Sequence, residues 1–281
     1  MNLEELRDVG LTEDQRMVRA MARDFAVNEI LPVVDQYERE GRYPRDIVEK
    51  MAGLGMLGVI IPQEHGGAGL DYISYGIICE EIARADWVCA SVISVQNSLV
   101  GSSVLRFGTD DQKERVLRPM ARGAKLASAC LTEPSGGSDL AGLYTTAVKD
   151  GDFYVLNGSK TFISHAQFAD VFFVLATVDR ARKHKGICAF LVDTSAPGIS
   201  VSPLAMHTLK RGNICEVGFQ DVRVPVSSLL HKEGEGFRVV GAALDTGRFS
   251  VAARCVGQAQ ACVDASVKYA SEREQFGQRI G

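Results

Sequence analysis

The chain has 281 residues, 31 Lys and Arg against 35 Asp and Glu, and a formal net charge of −4. This length exceeds the usual size of one compact domain and predicts two or three packed units, and the charge balance, with no basic stretch, excludes a nucleic-acid footprint and a cationic membrane-surface helix. Residues 1 to 13 are acidic and lack an apolar core, so they read as neither a signal peptide nor an Arg-rich transit peptide; no apolar run reads as long enough to span a bilayer, and a cytoplasmic location is expected.

In chain order, Thr12-Glu13-Asp14-Gln15 is a capping-box pattern with Val18, Met21 and Phe25 at helical spacing behind it, and Pro32 is expected to kink or end that helix. A second helix is expected from Pro44, failing at Gly55, and a third carrying Ile73, Ile77, Ile78 and Ile82 follows the flexible run Gly66-Gly67-Ala68-Gly69. That run lacks the spacing of a dinucleotide fingerprint. Ser91 to Phe107 reads as an apolar helix, and Thr109-Asp110-Asp111-Gln112 opens another with a second capping box.

Beyond Lys125 the period changes. Segments near 127–131, 143–149, 152–157, 171–178, 186–192 and 214–224 are short, rich in Val, Phe, Thr and Ile, and separated by Gly, Asp, Asn and Pro, which predicts an antiparallel sheet, a small barrel or a sandwich. Asp150-Gly151 and Asn157-Gly158 are both hairpin-turn signals. From Gly236 to about Glu274 the helical period returns, with Gly241 and Gly247 predicting a kink or a split. The fold class is therefore α+β: a helical part over 1–125, a β part over 126–232, and from 233–281 the opening of a helical bundle, incomplete as it stands because a long apolar helix needs partners.

The seven cysteines (Cys79, Cys89, Cys130, Cys188, Cys215, Cys255, Cys262) form no C-x-x-C pair and have no neighbouring His at ligand spacing. Zinc and redox motifs are unsupported, no metal site is expected, and the odd count suits buried free thiols.

The stretch Leu131-Thr132-Glu133-Pro134-Ser135-Gly136-Gly137-Ser138-Asp139 follows a short apolar run and should be a strand edge breaking into an irregular loop. By composition it is a connecting turn, or a loop whose exposed N–H groups and hydroxyls hold an anionic or carbonyl-rich ligand.

Together with Thr146, Tyr154-Val155-Leu156-Asn157-Gly158-Ser159-Lys160 and Ile163-Ser164, this ordered set resembles the signature of the acyl-CoA dehydrogenase family. Cys215 to Pro225 and Tyr269 to Gly277 resemble two further signatures of the same family. The resemblance implies a helical domain, a middle β-domain and a C-terminal four-helix bundle, with FAD as cofactor. It implies that Leu131 and Thr132 face the flavin ring, that Ser138 lies toward flavin or acyl-CoA, and that Ser164 stands in for the commoner Thr as a hydroxyl donor to the flavin edge. Phe162 occupies the place of a flavin-stacking Trp, with less area and no indole donor. Arg273, Gln275 and Phe276 match positions that reach the FAD of a neighbouring subunit, which implies a homotetramer or homodimer, and Asp245 and Arg248 match positions that meet the CoA.

The implied reaction is α,β-desaturation of an acyl-CoA thioester, with electrons passed on to an electron-transferring flavoprotein. The base is the gap. In most of the family it is a Glu that would lie past Gly281, which makes a piece of a longer enzyme the expectation; in a minority it lies where this chain has Gly247, which cannot serve. Asp86 is a third candidate, although an Asp after Ala-Arg-Ala is also an ordinary helix cap. Ser94 to Val100 resembles the glutaryl-CoA dehydrogenase branch, but Ala83 and Ala90 stand where that branch uses a Glu and an Arg on a distal carboxylate. With no cation at those positions an apolar short, branched or cyclic acyl group is expected, with Trp87 and Ala90 at the pocket. An acyl-CoA oxidase and a redox-silent acyl-CoA-binding or scaffold subunit are the alternatives.

Overall fold

The computed structural model describes residues 8–281; the acidic opening read above as carrying no leader lies, for residues 1–7, outside the described residues. At the first helix, α1 (Glu13–Phe25), the Thr12 hydroxyl accepts from the Gln15 N–H at 3.2 Å while the Gln15 side-chain oxygen accepts from the Thr12 N–H at 3.1 Å. Pro32 neither ends the helix nor leaves it regular. It follows a π-helical turn, Ala26–Ile30, and the helix runs on as α2 (Leu31–Glu40) to Gly41 in the left-handed region. The widened turn fits proline chemistry, since Pro32 offers no N–H and its ring presses on the carbonyl four residues back, inside that turn.

After α3 (Arg45–Gly53) and α4 (Tyr72–Ala85) comes the helical run Trp87–Phe107: α5 (Trp87–Ser94), a π-helical turn Val95–Gly101 and α6 (Ser102–Phe107). This run corrects the sequence reading, because by length and composition it could cross a membrane; 83% of its apolar window is buried inside the fold. The remaining pieces of the region, α7 (Asp110–Gln112) and α8 (Arg118–Ala121), flank a further π-helical turn.

Eight strands follow: β1 (Ala127–Cys130), β2 (Thr146–Asp150), β3 (Phe153–Ser164), β4 (Val171–Thr177), β5 (Ile187–Asp193), β6 (Ile199–Pro203), β7 (Ile214–Pro225) and β8 (Leu229–Leu230). They form one open sheet in the order β6-β7-β3-β2-β4-β5-β8, with β1 paired to β4. The sheet is mainly antiparallel, but β1 and β2 each pair with β4 in parallel, so it is neither a closed barrel nor wholly antiparallel. Every residue of β4 is buried, as a strand covered on both faces must be. Val171, Phe173 and Leu175 pack with the helical wall around Val100 and Leu117, and Phe172, Val174 and Ala176 pack with Phe190 and Val217 on the other face.

Asp150-Gly151 is the expected hairpin turn, closing at Asp150 and Phe153 with Gly151 at φ 57. Asn157-Gly158 is not a turn. It lies inside the twelve-residue β3, where the register to β7 shifts between Leu156 and Gly158. A Cβ on Gly158 would come within 2.5 Å of the Thr145 hydroxyl, so this glycine serves a bulge and a close approach.

The last helix, α9 (Gly236–Glu272), runs unbroken through Gly241 and Gly247, against the expected kink. Its glycine at 257 explains how it packs, because a Cβ there would sit 2.1 Å from the Glu80 carbonyl on α4. Its opposite side leaves Val256, Val263, Val267 and Tyr269 exposed. A small hairpin, β9 (Glu274–Gln275) and β10 (Gln278–Arg279), completes the described residues. Five of the seven cysteines are buried, but Cys255 and Cys262 on α9 are exposed.

Candidate active site

The loop after β1 is held from beneath by a buried ion pair. Glu133 and Lys160 are 4% and 0% exposed, and the Lys160 ammonium donates to the Glu133 carboxylate at 2.8 Å and to the Leu131 carbonyl at 3.2 Å. The same carboxylate accepts from the Tyr144 and Thr145 N–H groups at 2.6 and 2.9 Å. Burial raises the Glu133 carboxyl, but Lys160 and these donors outweigh it and hold it below its ordinary range, while burial pulls the Lys160 ammonium down. Thr132 is fastened separately, its carbonyl accepting from the Thr161 N–H at 2.9 Å.

Across from Thr132, β3 breaks its register with β7 between Lys160 and Ile163. The break turns Phe162 to φ 58 and leaves its ring 63% exposed. A bulky residue in the left-handed region is strained, and an aromatic ring held out this way next to Leu131 and Thr132 offers a flat apolar surface with hydroxyl and backbone donors beside it. Planar heteroaromatic FAD matches that combination. Two residues on, Ser164 has its carbonyl fixed by the Ser128 hydroxyl at 2.7 Å and lines a cavity of about 570 Å3.

That cavity lies between the helical run and α9. Ser91, Ser94, Val95 and Leu99 form one wall, and Leu244, Gly247, Arg248, Val251 and Arg254 form the other. The α9 positions recur at three- and four-residue steps and so share one helix face. A side chain at Gly247 would press on Leu99, with its Cβ 3.2 Å from a Leu99 methyl, so the glycine keeps the space open. Among the described residues no Asp or Glu lines the cavity.

The structure gathers Ser164, Gly247 and Arg248 on this cavity, whereas Asp245 is exposed on α9 outside its lining. Ser138 is exposed next to Asp139, which borders a second cleft of about 560 Å3 with Arg180 and Lys183. Arg273, Gln275 and Phe276 are exposed at the far end of α9, about 39 Å along the helix from Gly247, and are not brought to the cavity.

Two expectations are corrected. Ala90 is fully buried in the helical core and does not line the cavity, because that turn of α5 faces α3 and α4. Asp86 is no base. At 3% exposure it caps α5 through the Val88 and Cys89 N–H groups, at 3.1 and 3.0 Å, and accepts two bonds from the Arg211 guanidinium at 2.5 and 2.9 Å. All its acceptor capacity faces inward.

Sequence reasoning also missed residues at the cavity. Positions 83 and 90, on α4 and α5, carry no cation for a distal carboxylate, whereas the structure supplies Arg254 from α9; no local pattern marks that residue. Beside it His165 is 1% exposed at φ 62. Burial, with the Arg254 charge adding to it, pushes the His165 imidazole down to about 4, so it is neutral near pH 7. Since an unfolded His titrates near about 6.5, the unfolded state binds the extra proton first, and stability is lost as pH falls from there toward 4. The expected loss is about 3 kcal/mol by pH 4, and none arises above pH ~7. Denaturant midpoints measured across that window should flatten in His165→Gln.

Three family models match this chain: the acyl-CoA dehydrogenase N-terminal domain over residues 12–124, the middle domain over 128–222 and the C-terminal domain over 234–281. A 3-(aryl)acrylate reductase of Clostridium sporogenes is 42% identical over 96% of this chain and 72% of its own length. The caffeyl-CoA reductase-Etf complex subunit CarC of Acetobacterium woodii is 40% identical over 96% of this chain and 72% of its own. A glutaryl-CoA dehydrogenase of Mycobacterium smegmatis, solved in complex with FADH2, superposes with a TM-score of 0.91 at 31% identity, covering 98% of this chain and 70% of that one. A helical wall, an open sheet and a long helix enclosing one cavity thus define a flavoprotein oxidoreductase architecture. The chain belongs to the acyl-CoA dehydrogenase family, whose FAD-dependent chemistry is the desaturation of an acyl-CoA thioester.

Proposed function

We propose that the 570 Å3 cavity is where the acyl chain meets the flavin, and the observation that carries this is that Ser164 from β3 and Gly247 and Arg248 from α9 line one space. FAD, when bound, accepts the hydride that the acyl group loses. Phe162, Leu131 and Thr132 would hold it by stacking and by backbone groups, and Ser164, which lines the cavity, would offer a hydroxyl to it. Val95, Leu99, Leu244 and Val251 exclude water from the acyl stem and orient it along α9. The lining residues bind and position; no carboxylate among them takes the α-proton.

Arg248 meets the CoA end at the mouth, and the cleft with Arg180 and Lys183 near Ser138 is charged to suit the CoA phosphates. On this reading Arg273, Gln275 and Phe276, exposed beyond α9, would reach FAD on a second copy of the chain in a homodimer or homotetramer. An electron-transferring flavoprotein takes the electrons, as the Etf complex of the caffeyl-CoA reductase subunit suggests by similarity.

The test is FAD titration of Phe162→Ala. Losing one stacked ring costs about 0.5–1.5 kcal/mol beyond its buried area, so FAD affinity should fall by about twofold to tenfold or more. An unchanged FAD affinity would place the flavin elsewhere.

A further inference from the structure

Arg254 lines the cavity and is buried, at 7% exposure for the whole residue. Its Nε and Nη1 have no hydrogen-bond partner among the described residues, and none of the described carboxylates forms an ion pair with it. Its one strong contact is the Trp87 ring, with the guanidinium carbon 4.4 Å from the ring centroid. Around it stand neutral groups. Ser91 and Ser94 line the facing wall of the cavity, Ser94 shares a hydrogen with Ser250 at 2.7 Å, and both nitrogens of buried His165 are also without partners among the described residues.

A buried guanidinium without an anion is costly, and one partner removed from a buried pair leaves such a charge uncompensated. A cation–π contact recovers part of that cost and cannot replace a carboxylate. The planar fork of Arg is suited to a carboxylate held by two parallel N–H···O bonds, with serine hydroxyls and a neutral imidazole to satisfy the remaining lone pairs. Along α9 the fork lies seven residues, about 10 Å, from Gly247, with the apolar wall of Val95, Leu99 and Val251 between them.

We infer that Arg254 is a specificity residue of the acyl pocket and takes a distal carboxylate, so that the substrate class is an acyl-CoA with an apolar stem and an anionic far end. This rests on the acyl-CoA reading of the cavity. It also reverses the expectation drawn from Ala83 and Ala90, because the cation comes from the opposite wall.

Trp87 is the sole tryptophan of the chain and lies against the guanidinium, so its fluorescence reports the site directly. The experiment titrates the FAD-loaded protein with two length-matched pairs, glutaryl-CoA against pentanoyl-CoA and adipyl-CoA against hexanoyl-CoA, by calorimetry and by Trp87 emission. At least one dicarboxylyl-CoA should bind about tenfold or more tighter than its monocarboxylyl match and perturb Trp87 more. In Arg254→Gln that ratio should collapse to about one, and Arg254→Lys should restore part of it. Equal affinities within both pairs would overturn the inference and leave the acyl-CoA cavity standing. Failure of all four to bind would overturn both.

Discussion

Asp86→Ala is expected to cost about 3–5 kcal/mol of stability, read as a large shift in the denaturant midpoint. Arg211 is 5% exposed and loses its bidentate partner, keeping only Glu38 at 3.0 Å on its Nε. The Coulomb gain of such a pair offsets desolvation only while both charges are present, so removing one strands the other. The cap on α5 goes as well, a smaller effect of about 1 kcal/mol that is not separable from the first. Replacing both partners, as in Asp86→Ala with Arg211→Met, should recover much of the loss, because no charge then remains buried. The pair joins the helical region to the β part across 125 residues of chain, so the damage is global. An Asp86→Ala protein as stable as the parent but without turnover would restore Asp86 as the base.

The second large effect concerns Glu133 and Lys160, and the two halves of the pair are not equivalent. Glu133→Ala strands a fully buried ammonium and two backbone N–H groups, at Tyr144 and Thr145, and is expected to cost about 3–5 kcal/mol. Lys160→Met leaves the carboxylate with those two N–H donors and puts an apolar chain of similar length into the space. It should therefore cost less, about 1–3 kcal/mol. Because the pair fixes the loop carrying Leu131 and Thr132, FAD affinity should fall in the same order. Equal costs for the two variants would mean that the backbone donors contribute nothing. The pH dependence has a definite sign: the lowered Glu133 carboxyl contributes stability above about pH 4.3, and that contribution is lost as pH falls through its folded value.

These residues show what is legible in a sequence. Both capping boxes, at Thr12 and Thr109, and the Asp150-Gly151 turn are local chemistry, complete within four residues, and the structure contains each one. Asn157-Gly158 carries the same local signal and is a bulge, because pairing with β7 and the closeness of Thr145 decide its conformation. At Pro32 a π-helical turn absorbs the proline without ending the helix, and Gly247 is used for close packing on Leu99 rather than for a kink.

At the site, the loop and Ser164 were legible because their motif is contiguous. Asp86 was legible as a cap, but its partner Arg211 lies 125 positions away and has no local marker. The same holds for Arg254. An arginine in a helix reads as a solvated charge until the fold shows Trp87 under it and no carboxylate beside it.

The central claim is that one cavity brings flavin and acyl group together, and the visible spectrum of the FAD-loaded protein tests it most directly. Recorded anaerobically while short, branched, cyclic and dicarboxylyl acyl-CoAs are added in turn, the flavin band should bleach or shift with at least one of them, since the acyl stem lies beside the ring. A band indifferent to every acyl-CoA, from a protein shown by calorimetry to bind them, would mean that the two ligands occupy separate sites and would contradict the account.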